Sequence, residues 1–103
     1  MTIDDLIAIK KDILFEYEEA KVEFAAAVFR MKVEGKRLGE FGELMSKLAL
    51  DMEDAEFDAV QDTISGDRFK SLSGEQVQSV VALYNAALTR WIAAQKAKKS
   101  VGY

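Results

Sequence analysis

Apolar residues recur at helical spacing through most of the chain, and glycines interrupt this pattern at only a few places. Between Thr2 and Gly35 there is no Gly and no Pro, which indicates one uninterrupted helix. The glycines in 35–42 indicate a connection, and Ser65-Gly66-Asp67 indicates a second break. Helices are predicted over 3–34, 43–65 and 74–98. The fold class is therefore predicted as all-α, an antiparallel three-helix bundle with an overlong first helix.

Side chains that cap helices support these boundaries. Thr2 with Asp5 forms an acidic variant of the capping box at the start of the first helix, and Ser73 with Gln76 predicts another at the start of the last. Gly35 suits the position just after a helix, where a left-handed backbone is common. We therefore expect the first and last helices to begin and end close to the predicted residues.

One apolar stripe on each helix predicts the core. The segment 68–72 is predicted to be irregular, with Phe69 and Leu72 closing one end of the bundle. The core is predicted to contain Leu6, Ile13, Tyr17, Phe24, Leu44, Leu48, Met52, Val77, Val81, Tyr84, Leu88 and Trp91.

The first helix carries a second apolar stripe, rotated away from the first by roughly a third of a turn or more. Its predicted protein-binding residues are Ile7, Leu14, Phe15, Val22 and Phe29. A bundle helix usually buries an apolar sector of about 100° or somewhat more, so two stripes exceed what one bundle needs. Either a partner covers the second stripe, or the other helices and loops cover both.

Composition excludes several classes of site. The 103 residues include no Cys, no His and no Pro, which excludes zinc fingers, disulfides and catalytic mechanisms based on His or Cys. No apolar run is long enough for a membrane span, and the first residues carry acids where a secretory signal carries bases. We expect a single helical domain over 1–103, cytoplasmic and without membrane contact.

Charge is distributed unevenly along the chain. The net charge is −4 overall, but it is −7 over 43–67 and +5 over 68–103. The charges of these two segments either compensate each other within the fold or attract partners of opposite charge. Lys96, Lys98, Lys99 and Arg90 form only a small basic patch, so direct nucleic-acid binding is not expected.

Two rows of carboxylates are the only candidates for a metal-binding or catalytic site. One row is Glu16, Glu19 and Glu23, and the other is Asp51, Asp54, Asp58 and Asp62. Spacings of three and four residues place each row on one helical face. The pairs Glu16-x-x-Glu19 and Asp51-x-x-Asp54 loosely resemble the metal-binding pairs of all-α nucleoside triphosphate pyrophosphohydrolases. That resemblance implies that the carboxylates bind Mg²⁺ or Mn²⁺. If the rows are simply solvated helix faces, they bind no metal and take part in no reaction. We expect no metal, no cofactor and no catalytic residue.

Two functions follow from these surfaces. The first is a non-enzymatic protein–protein interaction module, a subunit of a homo- or hetero-oligomeric assembly whose partner is another protein or a second copy. The alternative is an acidic inhibitor of a basic nucleic-acid-binding protein, because carboxylate rows on a helix imitate a phosphate backbone. Small acidic helical inhibitors encoded by phages, including some anti-CRISPR proteins, are similar in size and character. In that case Asp51, Asp54, Asp58 and Asp62 bind the partner.

Overall fold

The computed structural model describes residues 2–102, apart from the side chain of Glu40, and within them all regular structure is helical. The helices are α1 (Ile3–Gly35), α2 (Gly42–Ser46), α3 (Asp54–Ile64), α4 (Asp67–Leu72) and α5 (Glu75–Ser100), with a 3₁₀ turn at Gly39–Phe41. The predicted all-α class is confirmed, as is a long first helix that packs on the last.

α1 and α5 form a long antiparallel pair. Near the start of α5, Gln76 donates a hydrogen bond of 3.0 Å to Glu34, near the end of α1. Towards the end of α5, Arg90 Nε donates a hydrogen bond of 2.7 Å to Glu16. Residue numbers therefore rise along one helix as they fall along the other. The molecule extends 55 Å along its longest axis, close to the length of α1 itself.

α3 lies beside this pair and runs in the same direction as α1. Asp54, at the start of α3, lines a groove with Lys96 near the end of α5. Ile64, at the end of α3, lines a groove with Val81 in the first half of α5. α3 is therefore antiparallel to α5. The predicted antiparallel three-helix bundle is not confirmed, because in such a bundle the first and last helices run parallel.

The helix predicted over 43–65 is interrupted by a non-helical segment at 47–53. Within that segment Leu48 is buried and Leu50 and Met52 are partly buried, whereas the residues at 51 and 53 are exposed. Turns at Lys47 and at 50–51 interrupt the helix, and the apolar side chains of this segment pack on the core. The segment carries the chain from the end of α2 to the start of α3.

The core is built around Phe24, whose side chain has no exposed surface. Its ring centre lies 5.6 Å from that of Tyr84, 6.0 Å from that of Phe57 and 6.3 Å from that of Trp91. The predicted core residues that are buried are Phe24, Leu48, Val77, Val81, Tyr84, Leu88 and Trp91. Those only partly buried are Ile13, Tyr17, Leu44 and Met52.

Leu6 is the predicted core residue that the structure contradicts, since 43% of it is exposed. α5 lies opposite α1 at the contact between Trp91 and Tyr17, whose rings are 5.0 Å apart, and it ends at Ser100. The first turns of α1 therefore extend past the end of α5. Leu6 continues the core stripe along the sequence, but no helix packs against it there.

The end of the bundle near α4 differs from the prediction in two respects. Residues 68–72 are not irregular but belong to α4. Phe69 closes the end as predicted, since it is buried and its ring meets that of Phe41 edge-on at 5.1 Å. Leu72 does not, because it is 54% exposed.

Only one of the two predicted capping boxes forms. The Asp5 N–H donates to Thr2 Oγ1 at 3.1 Å, and the Thr2 N–H donates to an Asp5 carboxylate oxygen at 3.2 Å. At the start of α5 the capping residue is Gly74, which has no side chain to accept a hydrogen bond. Ser73 lies one residue too early, so the predicted Ser73–Gln76 box is wrong.

Gly35 is required by packing rather than by helix termination. It is the last residue of α1, not the residue after it, and it is buried against α2. A Cβ at this position would overlap Cβ and Cγ of Met45. The close approach of α2 to α1 therefore depends on the missing side chain.

We expect Gly35→Ala to destabilise the protein even though Ala favours a helix by about 1 kcal/mol over Gly. Overlap with Met45 should lower the free energy of unfolding by roughly 1–2 kcal/mol net, measured by urea denaturation followed by circular dichroism. Gly74→Ala is the control without overlap, because a Cβ there meets nothing within 4 Å, and it should cost only the preference of a helix N-cap for Gly over Ala. Equal effects at both glycines would contradict the packing argument.

Candidate interaction surface

The second apolar stripe of α1 is exposed along its length. Phe15, Val22 and Phe29 are 66%, 69% and 67% exposed, and Ile7 and Leu14 are also exposed. At 100° per residue these five side chains, here called the apolar face, lie within about 100° of the helix circumference. The core residues of α1 lie on another side, against α5. The expectation that helices and loops of the same chain cover both stripes is contradicted.

The exposed apolar surface extends beyond the residues that the sequence indicated. Ile3, at the start of α1, is 78% exposed. At the other end Phe29 and Val33 line a shallow groove with Leu83 of α5, and Leu83 is half exposed. The signal that could have identified Leu83 is its position, one residue before buried Tyr84 and outside the core stripe of α5.

The glutamate row on α1 is held by one arginine. Arg90 Nε donates to Glu16 at 2.7 Å, Nη2 donates to Glu19 at 3.3 Å, and Nη1 donates to Glu23. We call these four residues the Arg90 cluster. The hydrogen bonds to Glu16 and then Glu23 raise the pKa of Arg90 above its already high ordinary value. Arg90 therefore stays charged and joins α5 to α1, instead of belonging to the basic patch.

The aspartate row lies on the exposed side of α3, with one correction. Asp54, Asp58 and Asp62 are exposed and share one helical face. Asp51 is exposed too, but it lies in the turn before α3 and does not continue the row. Asp54 borders a groove between α3 and the paired helices α1 and α5, whereas Asp58 and Asp62 lie further along the exposed face of α3.

The acidic middle and the basic end of the chain meet at one groove. Asp54 lines this groove together with Lys96, Lys98 and Lys99. The ammonium of Lys98 also lies 3.9 Å from the centre of the Tyr17 ring, a cation–π contact. Part of the charge asymmetry is therefore compensated within the fold, and the basic patch faces an acid of its own chain.

The carboxylates do not assemble a metal site in the described part of the chain. Among residues 2–102, no three acidic side chains gather closely enough to hold a metal ion. The pairs Glu16/Glu19 and Asp51/Asp54 thus do not form the joint ligand set that the pyrophosphohydrolase resemblance implies. In Glu16 and Glu19 the carboxylates bind a guanidinium instead.

Comparison of this chain with protein-family models, with curated proteins and with solved structures finds no match. Within residues 2–102, no helix combines the length and the apolar character that crossing a membrane requires. Inferences about function therefore rest on the surface described above.

Proposed function

We propose that this protein is a protein–protein interaction module, a subunit of an oligomeric assembly that docks through the apolar face of α1. The observation that carries the proposal is the exposure of Phe15, Val22 and Phe29 in one line on one helix. Monomeric proteins rarely expose large contiguous apolar patches, and aromatic residues are enriched in interfaces. A partner that covers this face removes the cost of leaving it in water.

The surroundings of the apolar face support a docking role. Phe15 and Val22 line a shallow groove that is bordered on one side by members of the Arg90 cluster. An apolar centre beside charged side chains is the usual arrangement of an interface core and its rim. In this proposal the Arg90 cluster fixes the glutamates next to the groove, where they bind no substrate, so the chain acts by binding and not by catalysis.

The apolar face is also pre-organised. α1 is one continuous helix of 33 residues, and from Ala20 to Gly35 its opposite side is buried in the core. A partner therefore meets a surface whose backbone is already ordered, so association does not have to order a flexible segment. This rigidity lowers the entropic cost of docking.

A photoreactive amino acid at position 15 tests the proposal in cells that produce the protein. We expect one discrete cross-linked adduct from position 15 and none from position 62, which is exposed on α3. Val22→Glu should reduce the adduct at least tenfold, because a buried, unpaired charge is costly in an interface. It should leave the circular dichroism spectrum unchanged, since Val22 is exposed.

The same experiment distinguishes docking through the apolar face from the alternative, an acidic inhibitor that binds through the aspartate row. Asp54→Lys with Asp58→Lys reverses exposed charge on α3 and should leave the adduct from position 15 intact. Absence of a discrete adduct at position 15, or an adduct indifferent to Val22→Glu, would overturn the proposal. Loss of the adduct only in the double Lys variant would favour a basic partner bound by the aspartate row.

A further inference from the structure

Resting on the proposed function, we infer that the partner on the apolar face is a second copy of this chain, with its α1 antiparallel to the first. The axis of two-fold symmetry passes between Leu14 and Phe15. In this register Lys11 of each copy lies opposite Glu18 of the other. The contact is therefore an interface between identical surfaces.

Two charged residues lie along the middle of the apolar face and carry this inference. Lys11 and Glu18 are both exposed, and at 100° per residue both point in nearly the same direction as Phe29. They are seven residues apart, which is about 10.5 Å along the helix axis and too far for an ion pair within α1. A partner that covers the face has to satisfy one positive and one negative charge two turns apart.

A second copy of the chain can pair both charges with opposite charges only if its α1 runs in one particular direction. In a parallel pair, Lys11 lies opposite Lys11 and Glu18 lies opposite Glu18, so like charges are brought together in an apolar contact. In the antiparallel pair centred between residues 14 and 15, each Lys11 meets a Glu18, and two ion pairs form by symmetry. The charge pattern is thus complementary to itself only when the helices run in opposite directions.

Four of the five residues of the apolar face fit the same register, and the fifth, Phe29, lies beyond the contact. With the axis between residues 14 and 15, Ile7 lies opposite Val22 and Leu14 lies opposite Phe15. Apolar layers therefore lie on both sides of each Lys11–Glu18 pair, which shields the pairs from water. The register that pairs the charges and the register that pairs the apolar side chains are the same one.

The length of α1 relative to α5 also fits this arrangement. The first turns of α1 extend past the end of α5, and Ile3 and Ile7 are exposed there. In the antiparallel dimer this extension lies along residues 19–26 of the partner's α1. α3 and α5 pack on the sides of α1 that face away from the apolar face, so the two bundles lie on the outer sides of the helix pair.

The expected dimer is weak. Its contact is about 30 Å long and one helix wide, which places it below the standard size of stable interfaces. Association therefore has to be measured at concentrations up to hundreds of micromolar rather than at nanomolar levels.

Charge exchange at two positions tests the inference by sedimentation equilibrium. We expect the wild-type protein to dimerise, and Lys11→Glu and Glu18→Lys each to weaken dimerisation at least tenfold. The double variant Lys11→Glu/Glu18→Lys should recover most of the affinity, because both pairs re-form with reversed sign. Lys70→Glu, an exposed change on α4, is the matched control and should leave dimerisation unchanged.

Cysteine cross-linking tests the direction independently, since the chain contains no Cys. In the inferred register residue 4 lies opposite residue 25. An oxidised mixture of Asp4→Cys and Ala25→Cys should form mainly the mixed disulfide, whereas a parallel dimer would form the two symmetric ones. A monomer at all concentrations would overturn the second copy as partner, while the cross-linking at position 15 still decides the proposed function. A dimer without recovery in the double charge variant would overturn the register.

Discussion

Phe24→Ala is expected to lower the free energy of unfolding by about 3–5 kcal/mol. The side chain is completely buried, and its ring contacts aromatic rings from both α3 and α5. Its loss leaves a cavity where the three longest helices meet. Because domains of this size are stable by about 5–15 kcal/mol in total, the variant should be close to unfolding at 25 °C. Urea denaturation followed by circular dichroism measures the change.

Leu6→Ala is the matched control on the same helix. Leu6 and Phe24 belong to one stripe in the sequence, but Leu6 is 43% exposed on the part of α1 that α5 does not reach. We expect its replacement to cost less than about 1 kcal/mol. Comparable losses at the two positions would mean that the first turns of α1 are packed as the core stripe predicted.

The comparison of Leu6 with Phe24 shows where the sequence pattern stops being informative. Spacing along α1 identifies residues on one side of the helix, and it predicted the side that packs on α5. It carries no information on how far α5 reaches along α1, because that depends on the connections and on the antiparallel register. The long first and last helices were predictable because their periodicity is local.

The middle of the chain was predicted less well for a related reason. Leu, Ala, Met and Glu are strong helix formers, and this preference predicted one helix over 43–65. The structure instead has a non-helical segment at 47–53, in which burial of Leu48, Leu50 and Met52 against the core outweighs the local preference. Tertiary packing decides such segments, and one sequence shows only the preference.

The two parts of the candidate surface also differ in whether the sequence alone could predict them. The apolar face could be recognised in the sequence because the angular positions of residues on one helix suffice to define it. The Arg90 cluster could not, since Arg90 and Glu16 are 74 residues apart and meet only through the register of α1 and α5. Because its carboxylates pair with Arg90, the glutamate row is interpreted as a link between α1 and α5 and no longer as a candidate site.

Tyr84→Phe is expected to stabilise the protein, by an amount that grows with pH. The Tyr84 hydroxyl is buried and finds no hydrogen-bond partner among residues 2–102. Removing it should raise the free energy of unfolding by about 1 kcal/mol at pH 8, because an unsatisfied buried group is costly. The ring, which packs against Phe24, is retained in the variant.

Burial raises the pKa of Tyr84 to about 12 in the folded protein, whereas an unfolded chain releases this proton near pH 10. Below pH 10 both states are protonated, so the stability does not depend on this group. Between about pH 10 and pH 12 only the unfolded state loses the proton, which lowers the stability by about 1.4 kcal/mol for each pH unit. The advantage of Tyr84→Phe should therefore widen by about 1.4 kcal/mol between pH 8 and pH 11. Lysines titrate in both proteins, so the difference between the two denaturation curves isolates Tyr84. A constant difference would show that the hydroxyl reaches solvent.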